Sequence, residues 1–153
     1  MKAINIDGTI KTYNSVPKTW GNILGLQYLT NAELNEIGFY DIVKPIVKES
    51  QELGDIEWDA DNSVFTYLVV DKSFSQTIAE MKTQKIDNLK SSYNFELGKT
   101  DWIIIRTQEG TAAPQEILDA RAALRTECAS KEAEINALST QAQIADYELP
   151  SFR

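Results

Sequence analysis

Val64-Phe65-Thr66-Tyr67-Leu68-Val69-Val70-Asp71-Lys72-Ser73-Phe74-Ser75-Gln76-Thr77-Ile78-Ala79-Glu80-Met81 contains a change of period. Up to Val70 the residues are β-branched and aromatic with partial alternation, which predicts a strand with one buried and one wet face. Beyond Ser73 the apolar positions Ile78, Met81, Leu89 and Tyr93 recur at roughly helical intervals as far as Leu97. Ser73 with Gln76 three residues on matches a capping box, so the helix is expected to start there, and Gly98 is expected to close it. Strands before the switch and helices after it define an α+β chain by segregation. The expected domains are a small β-rich one at 1–72 and a helical region at 73–153 with a long C-terminal helix. Five of the seven glycines lie in the first segment, as a turn-rich region requires.

Working towards the N-terminus, Ile56-Glu57-Trp58 and Val64 to Val70 flank the polar turn Asp59-Ala60-Asp61-Asn62 and predict a hairpin. Lys2 to Ile6 and Thr9 to Tyr13 flank Asp7-Gly8, a type I′ signal because both central residues need positive φ. A loop with Pro17 and Trp20-Gly21-Asn22 is expected next. Thr30 with Glu33 and then Gly38 bracket a short helix at 31–37. Phe39 to Val47 reads as extended. Pro45 within it suits an edge strand, because proline has no N–H to give a ladder. The N-terminal region is therefore expected to be a small antiparallel sheet built from hairpins.

Working towards the C-terminus, Thr100-Asp101-Trp102-Ile103-Ile104-Ile105-Arg106 is ambiguous. Three consecutive isoleucines favour a strand, whereas Thr100 and Asp101 are good helix starters and Gly110 a good stop. A lone strand between helices has no pairing partner, so a helix is expected. Pro114 opens the last helix as a first-turn proline, with Glu116 near the positive end of the dipole. Ile117, Leu124, Cys128, Ile135 and Leu138 form a stripe interrupted by Arg121 and Lys131, a weak heptad that fits a helical hairpin or bundle. Arg121 and Arg125 share one helical face, and each needs an acid elsewhere; Asp101 or Glu109 could supply one. Pro150 ends any helical continuation, leaving Tyr147 and Phe152 in a tail expected to dock on a neighbour.

The 153 residues include 15 Lys+Arg and 23 Asp+Glu, a formal charge of −8. A duplex binder must neutralise phosphates with a basic face, and anionic membranes demand the same sign, so no nucleic acid and no membrane partner is expected. The chain has no histidine and one cysteine. Imidazole bases, Ser-His-Asp and Cys-His nucleophiles, His-ligated zinc and intrachain disulfides are excluded together. No apolar run approaches the about 20 residues of a spanning helix. An acid and a glycine follow Met1 too soon for a signal-peptide core. The alternating acids Asp55, Glu57, Asp59 and Asp61 lack the sixth-position Gly and twelfth-position Glu of a calcium loop, and read as a solvated hairpin. Gly21 to Gly25 and Glu109-Gly110-Thr111 lack the partners of a phosphate loop and read as turns. Cys128, on the apolar stripe, reads as core. No acid pair is singled out for hydrolysis. No catalytic residue, metal or cofactor is expected.

Thr100-Asp101-Trp102, Arg106, Glu109-Gly110, Pro114 and Ala120-Arg121-Ala122-Ala123-Leu124-Arg125 follow one another in an unusual order. This segment resembles the C-terminal part of tail fibre assembly proteins and related small tail-associated proteins of tailed bacteriophages. The N-terminal half is similar more loosely, through Pro17, Trp20, Leu34, Gly38-Phe39-Tyr40 and Pro45. In the assembly proteins the segment usually ends soon after the second arginine, whereas here Thr126 to Leu138 continues the helix. The resemblance, with that extension, implies a virion structural protein of the tail or its fibres, acting by protein–protein attachment. Its partners would be other phage structural proteins and copies of itself. It would reside in the virion, and in the host cytoplasm during assembly. Trp20, Trp58 and Phe152 are the expected aromatic anchors of the interface. The alternatives are a tail fibre assembly chaperone not retained in the virion, and a small carboxylate hydrolase.

Overall fold

In the computed structural model, which describes residues 1–152, Asp7-Gly8 joins β1 (Lys2–Ile6) to β2 (Thr9–Tyr13). Both turn residues are left-handed, with φ of 49° at Asp7 and 85° at Gly8, and Asn5 Oδ1 accepts the Gly8 N–H at 2.9 Å. The expected type I′ hairpin therefore forms. The following segment, expected as loop, contains a short ladder between β3 (Thr19–Trp20) and β4 (Ile23–Leu24), turned by Gly21 at φ 55°. Two-residue strands carry too little periodicity to be read from sequence.

Helix α1 (Asn31–Ile37) starts at a full capping box: Thr30 Oγ1 accepts the Glu33 N–H, and the Glu33 carboxylate accepts the Thr30 N–H at 2.7 Å. Gly38, at φ 102°, ends it. Then come β5 (Tyr40–Val43), β6 (Gln51–Asp59) and β7 (Val64–Asp71), giving a five-stranded sheet in the order β2-β1-β5-β7-β6. Two expectations are corrected here. The strand read as an edge because of Pro45 is the central one, since β5 stops at Val43 and the proline never enters the ladder. The sheet is also not wholly antiparallel, because β5 pairs in parallel with β7 through Ile42↔Phe65 and Val43↔Thr66. The second hairpin is longer than expected. A bulge between Leu53 and Ile56 breaks the alternation of β6, and so hid its first half in the sequence.

Ile4, Leu26, Leu34 and Phe39 form the buried core of this unit, with Ile6, Tyr13, Val16, Trp20, Leu29 and Ile37 packed around it. Tyr13, Trp20 and Phe39 meet edge to face, with ring centroids 5.1 to 6.3 Å apart. A second aromatic group joins Tyr40, Trp58 and Phe65.

The chain divides into two compact units, Met1–Lys72 and a second beginning at Ser73. The second opens with α2 (Ile78–Gly98). Its cap is Thr77, not Ser73. Thr77 Oγ1 accepts the Glu80 N–H at 3.2 Å and Glu80 Oε2 accepts the Thr77 N–H at 2.8 Å. Glu80 is acidic where Gln76 is not, so the later box also satisfies the helix dipole. Gly98 remains inside the helix, and Lys99 in right-handed geometry follows it, so the expected glycine stop is replaced by a tight turn. The ambiguous isoleucine segment is helical, as α3 (Asp101–Thr107), with left-handed Gly110 beyond its end. Pro114 caps α4 (Gln115–Ala137) from one position earlier than expected.

The tail folds back. Thr140 and Gln143 form a third capping box for α5 (Gln141–Asp146), which was not anticipated. Leu89, Tyr93 and Ile135 are buried at the centre of this unit, with Ile86, Leu124, Cys128, Tyr147, Leu149 and Phe152 around them.

Candidate functional site

The segment carrying the phage resemblance folds around one side chain. Arg121 stands on the second turn of α4 and is only 7% exposed. Its Nη1 donates to the Leu97 carbonyl and to Thr100 Oγ1, both at 2.6 Å, and its Nη2 donates to Asp101 Oδ1 at 2.7 Å. Thr100 Oγ1 in turn donates to the Leu97 carbonyl at 3.1 Å. Leu97 belongs to the last turn of α2, whose carbonyls lack helical partners, and Asp101 to the first turn of α3. A guanidinium satisfies both ends at once, because its planar fork offers donors in fixed directions to several acceptors. Of the two acids expected to serve Arg121 or Arg125, Asp101 pairs with Arg121, as part of a clamp that sets the α2–α3 turn.

The clamp holds only the first turn of α3, and side chains along the helix stay exposed. Trp102 is 56% exposed and Ile105 62% exposed, three residues apart and hence on one face. The Arg106 guanidinium lies 5.9 Å from the centre of the Trp102 ring. On α2, Phe95 is also largely exposed, with the Lys99 ammonium 5.1 Å from its ring. Both rings are covered by a cation and open to solvent, and the Trp102–Arg106 pair has the composition of an interface anchor, in which Trp and Arg are enriched. Ile105 was not singled out from sequence, because three consecutive isoleucines conceal which one faces outward.

The remaining motif residues serve the scaffold or stand apart. Gly110 makes the turn after α3 at φ 90°, Pro114 caps α4 and Leu124 packs in the core. Arg125 is exposed and borders, with Lys90, Tyr93, Leu124, Cys128 and Glu132, a shallow hollow of about 300 Å³. Burial pushes the Cys128 thiol up, with the Glu132 carboxylate adding to it, so the thiolate a nucleophile needs is disfavoured.

The three aromatics expected to anchor a partner are not gathered. Trp20 packs against Tyr13 and Phe39 within its own core. Phe152 meets Tyr93 edge to face, with ring centroids 4.9 Å apart, and so packs the tail against its own unit. Only Trp58 keeps much free surface, two-fifths exposed beside Tyr40 and Phe65. Asp59, one of the alternating acids, closes its hairpin as an Asx turn. Its carboxylate accepts from the Asp61 and Asn62 backbone N–H groups and from Asn62 Nδ2 at 2.8 Å, and the Asn62 bonds hold its carboxyl below the usual range.

Among the described residues no three His, Cys, Asp or Glu side chains come together to hold a metal ion. No helix of the described residues is long and apolar enough to cross a membrane. No protein-family model matches this sequence, and no curated protein and no solved structure matches it.

Proposed function

We propose that this protein is a non-enzymatic attachment component of a tailed bacteriophage, belonging to the tail or its fibres and working through protein–protein contact. The reading is supported by the resemblance of residues 100–125 to tail fibre assembly proteins. The single observation that carries it is the division of labour inside that segment. Thr100, Asp101 and the buried Arg121 form a clamp at the start of α3, while Trp102, Ile105 and Arg106 are exposed on the helix the clamp positions. Rigid presentation of a few apolar and cationic groups lowers the ordering cost of association. The partners would be other phage structural proteins, with copies of this chain arranged in an oligomer, in the virion and before that in the host cytoplasm.

The test is a pull-down of the fibre protein encoded by the same phage. Trp102→Ala with Ile105→Ser is expected to weaken attachment at least tenfold while thermal unfolding is unchanged. Undiminished attachment would rule out this face as the contact. A second reading, a fibre chaperone that leaves before the particle is complete, draws on the same resemblance. It differs in one respect: the chain would be missing from finished particles.

A further inference from the structure

We propose that the N-terminal unit holds a strand-accepting slot between the free edges of β2 and β6, and that its occupant is an extended segment of a partner protein carrying lysine or arginine. Among the described residues β2 pairs only with β1 and β6 only with β7, so each leaves a row of backbone N–H and C=O groups unpaired. In a flat sheet these two edges would stand about 19 Å apart, four spacings of about 4.8 Å. Registers separate them further. β1 meets β5 only through Lys2 and Ala3 and runs on towards the Val64 end of β7, whereas Gly54 lies near the Asp71 end.

Gly8, Thr9 and Ile10 nevertheless line one open cleft of about 500 Å³ together with Gly54, Asp55 and Ile56. The sheet must therefore coil with a stagger until its edges face one another, as in a barrel, and the bulge between Leu53 and Ile56 supplies the bend. It stops short of closing, because no backbone hydrogen bond joins β2 to β6. An added strand would complete it, with main-chain bonds for affinity and alternate side chains for selectivity.

Charge selects the occupant. Asp55 lies in the wall, Asp7 adjoins Gly8 and Glu57 adjoins Ile56; Asp55 and Glu57 are exposed, and none of the three acids forms an ion pair among the described residues. Lys11 is the one basic residue in either strand. A basic segment is complementary to this slot, whereas an acidic segment or the β6 edge of a second copy would be repelled.

The test uses the intact protein and three ten-residue synthetic peptides at low salt: alternating Thr-Lys, alternating Thr-Glu, and Thr-Lys with alternate amides N-methylated. Amide hydrogen exchange is followed at residues 9–13 and 51–58. The Thr-Lys peptide is expected to slow exchange at both edges at least tenfold, and the other two are not. Asp55→Lys is expected to raise the Kd of that peptide at least tenfold with the melting temperature unchanged. Glu57→Lys serves the same purpose should the first variant fold poorly. Absence of protection, equal protection by the Thr-Glu peptide, or protection that grows with protein concentration alone would each overturn the proposal.

Discussion

At the scale of single residues, Arg121 is a buried cation that donates three hydrogen bonds. Charge-assisted hydrogen bonds contribute about 1.5–3 kcal/mol each when one partner is buried, and less when the partner is open to water. Asp101 is largely exposed and the Leu97 carbonyl keeps the Thr100 N–H and hydroxyl, so Arg121→Ala is expected to cost about 2 kcal/mol in urea unfolding, through loss of the buried bonds to Leu97 and Thr100. Arg121→Lys should recover less than half of that loss, because one ammonium cannot reproduce the fork. Tyr93 and Tyr147 provide a second test. Burial pushes the Tyr93 phenol up to about 12, helped by the Glu127 carboxylate. Burial likewise pushes Tyr147 up to about 12, helped by its hydrogen bond to Glu134 at 2.7 Å. The folded chain keeps these protons where the unfolded chain has lost them, so stability is intact below about pH 10 and falls as pH climbs towards about 12. Tyr147→Phe is expected to flatten that alkaline loss in pH-dependent unfolding, and an unchanged slope would show that Tyr147 is not packed as described.

At the scale of elements, helix starts are set by local chemistry, and three of the five α-helices among the described residues begin at capping boxes. Thr77→Ala is expected to cost about 1 kcal/mol in thermal or denaturant unfolding. Ser73→Ala should stay within about 0.5 kcal/mol of the parent protein, as ordinary surface substitutions do. The reverse ranking would place the start of α2 at Ser73 after all. The elements readable in the sequence were those whose signal is local: the Asp7-Gly8 turn, the Thr30 box and the change of period after Val70. Those misread were decided by tertiary structure. Pro45 argued for an edge strand, yet β5 is central because its partners engage only the residues before the proline. The first half of β6 was hidden by a bulge, and α5 was overlooked although Thr140 and Gln143 stand at capping distance.

At the scale of the whole molecule, charge and site differ in how far sequence could locate them. Eleven of the 23 acidic residues and only six of the 15 basic ones precede Ser73, so the strand-rich unit holds most of the net negative charge. That asymmetry is visible in the sequence, but the cleft between β2 and β6 that gives it a place is not, since it arises from coiling of the sheet. Trp20, Trp58 and Phe152 were singled out because large aromatics anchor interfaces, but two of them are needed to fill the cores of units this small. Trp102 kept its exposure because Arg121 fixes α3 by its polar end instead of its apolar side. Under the proposed function the chain remains in the structure it helps to build. Quantitative mass spectrometry of purified particles of the proposed source phage tests that most directly. The account predicts the chain in fixed ratio to a symmetric tail component. Its absence from particles, while abundant in infected cells, would contradict the account.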